Sequence, residues 1–174
     1  MKIIKSINDE IKDLLNNCFN NNKLDLDQVC DQLKLDYYEA DFKNEKISGI
    51  LLKNKDNKFG IYVNRKHSAA RKRFTIAHEI GHFLSWKHKS HSFDKLDKND
   101  GIKDFAISFR HEDIKSLEEI EANQIAAELL MPENKVRELA DQGLTIEEMA
   151  DMFFVSEAAM TIRLKSFFPD LMVV

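Results

Sequence analysis

One short segment of this chain could do chemistry by its residue types and spacing: His78-Glu79-Ile80-Gly81-His82. In a helix, two histidines four residues apart lie one above the other on one face, so both rings can reach one metal ion. The glutamate beside the first histidine can reach water on that metal and act as a general base. This H-E-x-x-H pattern predicts a zinc peptidase site with Glu79 as its catalytic base.

The sequence around this motif predicts a buried helix. No Pro or Gly interrupts residues 68–77, and apolar residues recur at three- and four-residue spacing on both sides of the histidines. The stripe consists of Phe74, Ala77, Gly81 and Leu84, broadened by Ile80 and Phe83. Gly81 lowers helix stability, so we expect another backbone to approach closely there. The alternative, two core or surface histidines without a metal, is disfavoured by the glutamate between them.

A zinc site needs a third protein ligand, and the sequence offers two candidates. His88 would give a pattern similar to the longer metzincin motif, but Ser85 stands where that motif needs a Gly to turn the backbone. Glu119 lies in a second predicted helix, from about residue 114 to residue 130. Asn123 shares its face one turn further on and could support a ligand histidine.

Two blocks of the sequence resemble the ImmA/IrrE family of metallopeptidases. They are residues 74–82 and the segment Glu119-x-x-Ala122-Asn123-x-x-Ala126-x-x-Leu129-Leu130-Met131-Pro132. The order of elements is similar over residues 25–165. The resemblance implies a zinc ion, with the ligands His78, His82 and Glu119, and places Glu79 as the general base. Two further carboxylates, Glu118 and Glu121, are close by, and for them we favour a solvated helix face.

The same resemblance implies the kind of partner. Substrates would be specific regulatory proteins, typically helix-turn-helix repressors encoded beside the peptidase in mobile elements or stress circuits. Two rival classes of function remain: a non-cleaving anti-repressor that acts by contact alone, which the intact Glu79 disfavours, and a DNA-binding regulator.

Composition bounds the class of protein. The chain has 174 residues and a formal net charge of −4, which predicts one domain, or one with a small appendage. The mixture of acidic and basic residues argues against general nucleic-acid binding. No apolar run is long enough for a membrane span. The apolar stretch at the N-terminus is too short for a signal peptide, because polar residues follow it at once. Cys18 and Cys30 are expected to be free thiols in a reducing cytoplasm. The sequence leaves the oligomeric state open.

The predicted fold class is α+β. A small zincin-like domain over residues 1–133 is expected to carry a short antiparallel sheet packed on the motif helix. Helices are predicted at residues 8–18 and 26–33, and strands at residues 36–40, 48–53 and 58–64, the last two joined by a turn at 54–57. A charged, mobile loop over residues 87–104 and a short extended segment over residues 105–110 complete this part.

The remaining residues, 134–174, predict a helix-turn-helix-like extension packed on the first domain. Thr145 and Glu148 form the pattern of a capping box, and Ser156 begins another helix whose apolar stripe is Met160, Leu164 and Phe167. The spacing resembles a helix-turn-helix, although the usual Gly of the turn is absent. Four basic residues stand against seven acidic ones here, so we expect no direct DNA contact.

Three further features are candidates for substrate binding. The basic cluster Arg65, Lys66, Arg71, Lys72 and Arg73 is interpreted as a solvated helix start, with an acidic patch of a protein substrate as the alternative. Tyr62 and the histidines of the charged loop are candidate oxyanion donors. The strand at residues 59–63 is a candidate edge to which an extended substrate pairs.

Overall fold

A computed structural model describes residues 2–53, 58–89, 106–107 and 117–168. In these parts the chain forms seven helices and six strands. The helices are α1 (Lys2–Cys18), α2 (Leu26–Leu33), α3 (Ala69–Lys89), α4 (Leu117–Leu130), α5 (Glu133–Asp141), α6 (Ile146–Phe153) and α7 (Glu157–Phe167). The strands are β1 (Phe19–Asn20), β2 (Lys23–Leu24), β3 (Leu35–Ala40), β4 (Gly49–Lys53), β5 (Phe59–Asn64) and β6 (Ala106–Ile107). The predicted turn at 54–57 and most of the predicted charged loop lie outside the described residues.

The α+β class is confirmed, and the helix ends follow local signals in the sequence. The side chain of Asp25 accepts a hydrogen bond from the backbone N–H of Gln28 at the start of α2. The capping box of α6 is present, with Thr145 and Glu148 exchanging hydrogen bonds as predicted. Ser156 likewise accepts a bond at the start of α7. Each cap satisfies a backbone donor that the first turn of a helix leaves without a partner.

The four-stranded sheet has the order β3-β5-β4-β6. β4 and β5 pair antiparallel, as the predicted hairpin requires. β3 pairs parallel with β5, so the sheet is mixed, and the expectation of a wholly antiparallel sheet is wrong at this pair. The expectation that residues 59–63 form a free edge for substrate is also wrong, because β5 is hydrogen-bonded on both sides.

The long helix α3 packs against the sheet face that carries Leu51, Ile61 and Val63, all almost completely buried. Leu51 and Ile61 alternate with partly exposed neighbours along their strands, because successive side chains of a strand point to opposite faces. Ala77, Ile80 and Leu84 of α3 are buried in the same core. Its other flank packs against α4. Within the described ranges, no helix has the length and apolar character needed to cross a membrane.

The helices α6 and α7 meet at a turn whose centre is Phe154. Phe154 adopts a left-handed backbone conformation with φ of 60°, which non-glycine residues seldom adopt. It thus supplies the turn for which the sequence lacks a Gly. Met160 of the predicted stripe is fully buried, and Leu164 and Phe167 are partly buried against the core.

Candidate active site

The site is built where α3 and α4 cross, and Gly81 makes this crossing possible. A Cβ atom at Gly81 would lie 2.7 Å from the carbonyl oxygen of Ala122 and 3.0 Å from its Cα atom. Both atoms belong to the backbone of α4, so room for a side chain at Gly81 could be made only by moving the helix itself. The predicted close approach of a second backbone is therefore confirmed, and it places the turn of α4 with Glu119 and Asn123 against the two histidines.

The side chains of His78, His82 and Glu119 converge at this crossing. The Nε2 atoms of the two histidines are 2.9 Å apart. Oε1 of Glu119 lies 3.2 Å from Nε2 of His82, and Oε2 lies 3.4 Å from Nε2 of His78. One ligand atom from each residue can thus be chosen so that all three lie within 4.8 Å of one another. Two imidazole nitrogens and a carboxylate oxygen are the donor set of a catalytic zinc site.

Asn123 orients the first of these histidines. Its Oδ1 atom lies 3.0 Å from Nδ1 of His78. Because an amide oxygen only accepts hydrogen bonds, Nδ1 of His78 carries the proton and its Nε2 keeps the lone pair. That lone pair is directed toward His82 and Glu119, which is the tautomer that a metal ligand needs.

Glu79 of α3 is 2% exposed, and its carboxylate lies against β4 at Gly49 and Leu51. Burial, with a smaller contribution from the Glu119 carboxylate, raises the pKa of Glu79 to about 8, while a hydrogen bond with the backbone of Leu51 opposes the shift. Gly49 on the same strand leaves room for this side chain. An added Cβ there would overlap the methyl group of Thr75 and lie 3.6 Å from Oε1 of Glu79.

The second carboxylate oxygen of Glu79 shows whether these residues fit a metal site. Oε2 of Glu79 is buried, yet it has no hydrogen-bond partner among the described residues. A buried carboxylate oxygen without a partner costs free energy, and a water held beside the convergent histidines would supply the missing donor. The residues present therefore fit a metal site with an accompanying water.

The other candidates from the sequence lie elsewhere. α3 continues past Ser85 without turning, and Nε2 of His88 lies 2.6 Å from Oε2 of Glu10 on α1. Among the described residues, the group that could hold a metal contains neither His88 nor the two neighbouring carboxylates, Glu118 and Glu121. Glu118 is exposed, as predicted for a solvated helix face.

Tyr62 does not reach the site. Its neighbours on β5, Ile61 and Val63, face α3, so the Tyr62 ring lies on the opposite face of the sheet. There it packs against Tyr38 with ring centroids 5.3 Å apart. The prediction of Tyr62 as an oxyanion donor is therefore wrong. The histidine His91 of the charged loop lies outside the described residues.

A cleft of about 400 Å³ opens beside His78. It is lined by Lys46, Ser48, Arg71, Phe74, Thr75, His78 and Asn123. Phe74, predicted as part of the buried stripe, is only partly buried and forms one wall. Sequence reasoning missed Lys46, Ser48 and the close approach at Gly49; a Gly at the start of a predicted strand was the available signal for the last of these.

The fold and this site define the class of a metallopeptidase with an H-E-x-x-H helix and a glutamate on a second helix. Comparison with known families agrees: residues 30–165 match the IrrE N-terminal-like domain, peptidase family M78. The match covers well over half of the chain, and the chain belongs to this family. No curated protein matches the sequence significantly.

Proposed function

We propose that this protein is a zinc-dependent endopeptidase that cleaves a specific regulatory protein, namely a helix-turn-helix repressor of a mobile element or stress circuit. The observation that carries the proposal is the convergence of His78, His82 and Glu119 beside the buried Glu79. Membership of the peptidase M78 family supports the chemistry. The identity of the substrate class rests on the resemblance to the ImmA/IrrE family.

His78, His82 and Glu119 would hold the zinc ion, and Asn123 keeps His78 in the required tautomer. When bound, zinc with two neutral histidines and one carboxylate acts as a Lewis acid that polarises a peptide carbonyl and acidifies water. Glu79 accepts the proton of the attacking water and passes a proton to the leaving amine. Its burial between α3 and β4 fixes the carboxylate and keeps bulk water from one side of it.

The proposal extends to the organisation and location of the chain. We take residues 1–133 as the metallopeptidase domain and residues 134–174 as an extension packed on it. The contact of Arg163 on α7 with Glu128 on α4 and with the carbonyl oxygen of Met131 supports the packing of the extension on the first part. A cytoplasmic location is supported by Cys18 and Cys30, which are both free and buried.

The experiment compares the wild type with Glu79→Gln on a helix-turn-helix repressor found encoded beside this gene. The wild type with zinc should cut the repressor at one site, mapped by mass spectrometry. Glu79→Gln keeps the shape and hydrogen bonding of the side chain but cannot accept the proton, so it should leave the repressor intact while binding zinc. Glu118→Gln, an exposed glutamate on the neighbouring helix, is the matched control and should cleave normally.

A repressor that stays intact with wild-type protein and zinc would contradict the proposed substrate. Relief of repression in cells by Glu79→Gln would contradict the catalytic mechanism itself. That second result would favour the non-cleaving anti-repressor.

A further inference from the structure

The cleft beside His78 is the starting point. It runs from His78 and Asn123 along the first turns of α3 to the segment that precedes β4. A peptide whose scissile bond lies at the convergent histidines and Glu119 would place a neighbouring side chain in this cleft. Its lining carries two cationic residues, Lys46 and Arg71, and no carboxylate.

The basic cluster identified in the sequence divides into two groups by its contacts. Four of its five cations are held by other parts of the chain. Arg65 pairs with Asp41, Lys66 with Glu45 and Lys72 with Glu39, and Arg73 donates to the carbonyl oxygen of Leu24. These residues form the solvated and packed helix start that the sequence predicted.

Arg71 is the member of the cluster that lines the cleft. Its guanidinium donates to the hydroxyl oxygen of Ser48 at 3.0 Å, and it contacts no carboxylate among the described residues. Lys46 forms no ion pair with a described residue either; its backbone N–H donates to Oδ1 of Asn44 at 3.0 Å. The pKa of His67 is lowered mainly by burial and, to a smaller extent, by the nearby positive charge of Arg71. Among the described residues, neither cation of the cleft therefore has a carboxylate within ion-pair distance.

We propose that this cleft is a specificity subsite for a substrate carboxylate adjacent to the scissile bond. The guanidinium of Arg71, held in place by Ser48, offers the planar fork that binds a carboxylate through two hydrogen bonds. Lys46, on the segment that precedes β4, adds a second charge, and the ring of Phe74 offers an apolar surface for the aliphatic part of the acidic residue. The proposal rests on the proposed peptidase function and adds the chemistry by which the substrate is selected.

A carboxylate can come from an internal Asp or Glu side chain or from the free end of a chain. The test uses three probes: a capped alanine peptide with one internal glutamate, the same peptide with glutamine, and an alanine peptide with a free C-terminal carboxylate. Each is titrated into Glu79→Gln protein with zinc present. Amide shifts of Arg71 and Thr75 in nuclear magnetic resonance spectra report binding, and no hydrolysis is required.

The glutamate peptide should bind about fivefold more tightly than the glutamine peptide at low salt, which is the size expected for an exposed charge pair, and the difference should shrink with added salt. Arg71→Gln with Lys46→Gln should remove the difference. Arg65→Gln with Lys66→Gln, which changes the same number of charges outside the cleft, should retain it. Thermal unfolding checks that both double variants are folded.

Equal affinities for the glutamate and glutamine peptides, or no binding of the glutamate peptide at millimolar concentration, would overturn the proposal. A preference that survives Arg71→Gln with Lys46→Gln would also overturn it. Tighter binding of the peptide with a free C-terminal carboxylate than of the glutamate peptide would assign the subsite to a chain end. Because Glu79→Gln is used throughout, these outcomes are independent of whether the repressor is cleaved.

Discussion

Gly81→Ala tests whether the crossing of α3 and α4 builds the site. In an open helix this substitution stabilises by about 1 kcal/mol, because alanine has the higher helix propensity. Here the new Cβ would lie 2.7 Å from the carbonyl oxygen of Ala122 and 3.2 Å from its carbonyl carbon. Overpacking of this kind costs about 1–3 kcal/mol, and both neighbours are backbone. Because backbone yields less easily than a side chain, the upper part of this cost applies, and after the gain in helix propensity we expect a net loss of up to about 2 kcal/mol in the free energy of unfolding.

The same substitution should weaken zinc binding. Ala122 and Glu119 are three residues apart on one face of α4, so moving this turn away from α3 also moves the carboxylate away from His78 and His82. We expect zinc affinity to fall about tenfold, comparable to the loss of a supporting contact at a metal site. Urea denaturation of the metal-free protein gives the stability, and competition with a chelating dye gives the affinity.

The matched control for Gly81→Ala is Ala158→Gly, at an exposed position of α7. It should measure the ordinary difference in helix propensity in this protein and leave zinc affinity unchanged. The contrary result would be a Gly81→Ala protein whose free energy of unfolding exceeds that of the wild type by about as much as Ala158→Gly lowers it. If zinc affinity were also unchanged, the close approach at Gly81 would not be what positions Glu119.

Three further substitutions probe the supports of the site. Asn123→Ala should weaken zinc affinity roughly 10–100-fold, because His78 loses the acceptor for its Nδ1 proton; unchanged affinity in the dye competition would exclude that role. Arg163→Ala should lower the free energy of unfolding by about 2 kcal/mol, since it removes charge-assisted hydrogen bonds between helices; a change within about 0.5 kcal/mol in urea denaturation would contradict this. Burial opposes the ionisation of Glu10, but its bonds to Lys87 and His88 outweigh burial and lower its pKa below the ordinary 4.5. The wild type should therefore keep this stabilisation above pH 4.5 and lose it as the pH falls through the lowered pKa, and Glu10→Gln should lack that component in denaturation measured across this range.

Much of the fold could be predicted because its signals are local. A capping residue, an apolar stripe or a run of alternating residues needs no knowledge of distant partners. The caps at Thr145 and Ser156 and the strand positions followed from such patterns. For the site, the H-E-x-x-H spacing and the block around Glu119 pointed to the residues that the structure brings together, because both patterns place side chains on one helix face.

The partners of strands carry no comparable signal. Alternation along β5 predicts a strand but does not say which strands lie beside it, since chain neighbours need not be sheet neighbours. The chain passes from β3 to β4 before β5 enters between them. The choice of β3 as a partner made β5 an interior strand, which explains the error about a free edge. The error about Tyr62 has a different cause, because alternation along β5 places Tyr62 on the face opposite Ile61 and Val63.

The direction of Arg163 shows how far similarity to a helix-turn-helix extends. α6 and α7 are two short helices joined at Phe154, the order of elements that the motif has, yet Arg163 on the second helix is directed toward the body of the protein. It donates to the carbonyl oxygen of Met131 at 2.9 Å and pairs with Glu128, beside the end of α4. A cation at this position stabilises the carbonyl end of a helix. In a DNA-binding helix-turn-helix the second helix contacts the groove of the DNA. Here α7, the corresponding helix, instead packs through Arg163 against the end of α4, the helix that carries Glu119.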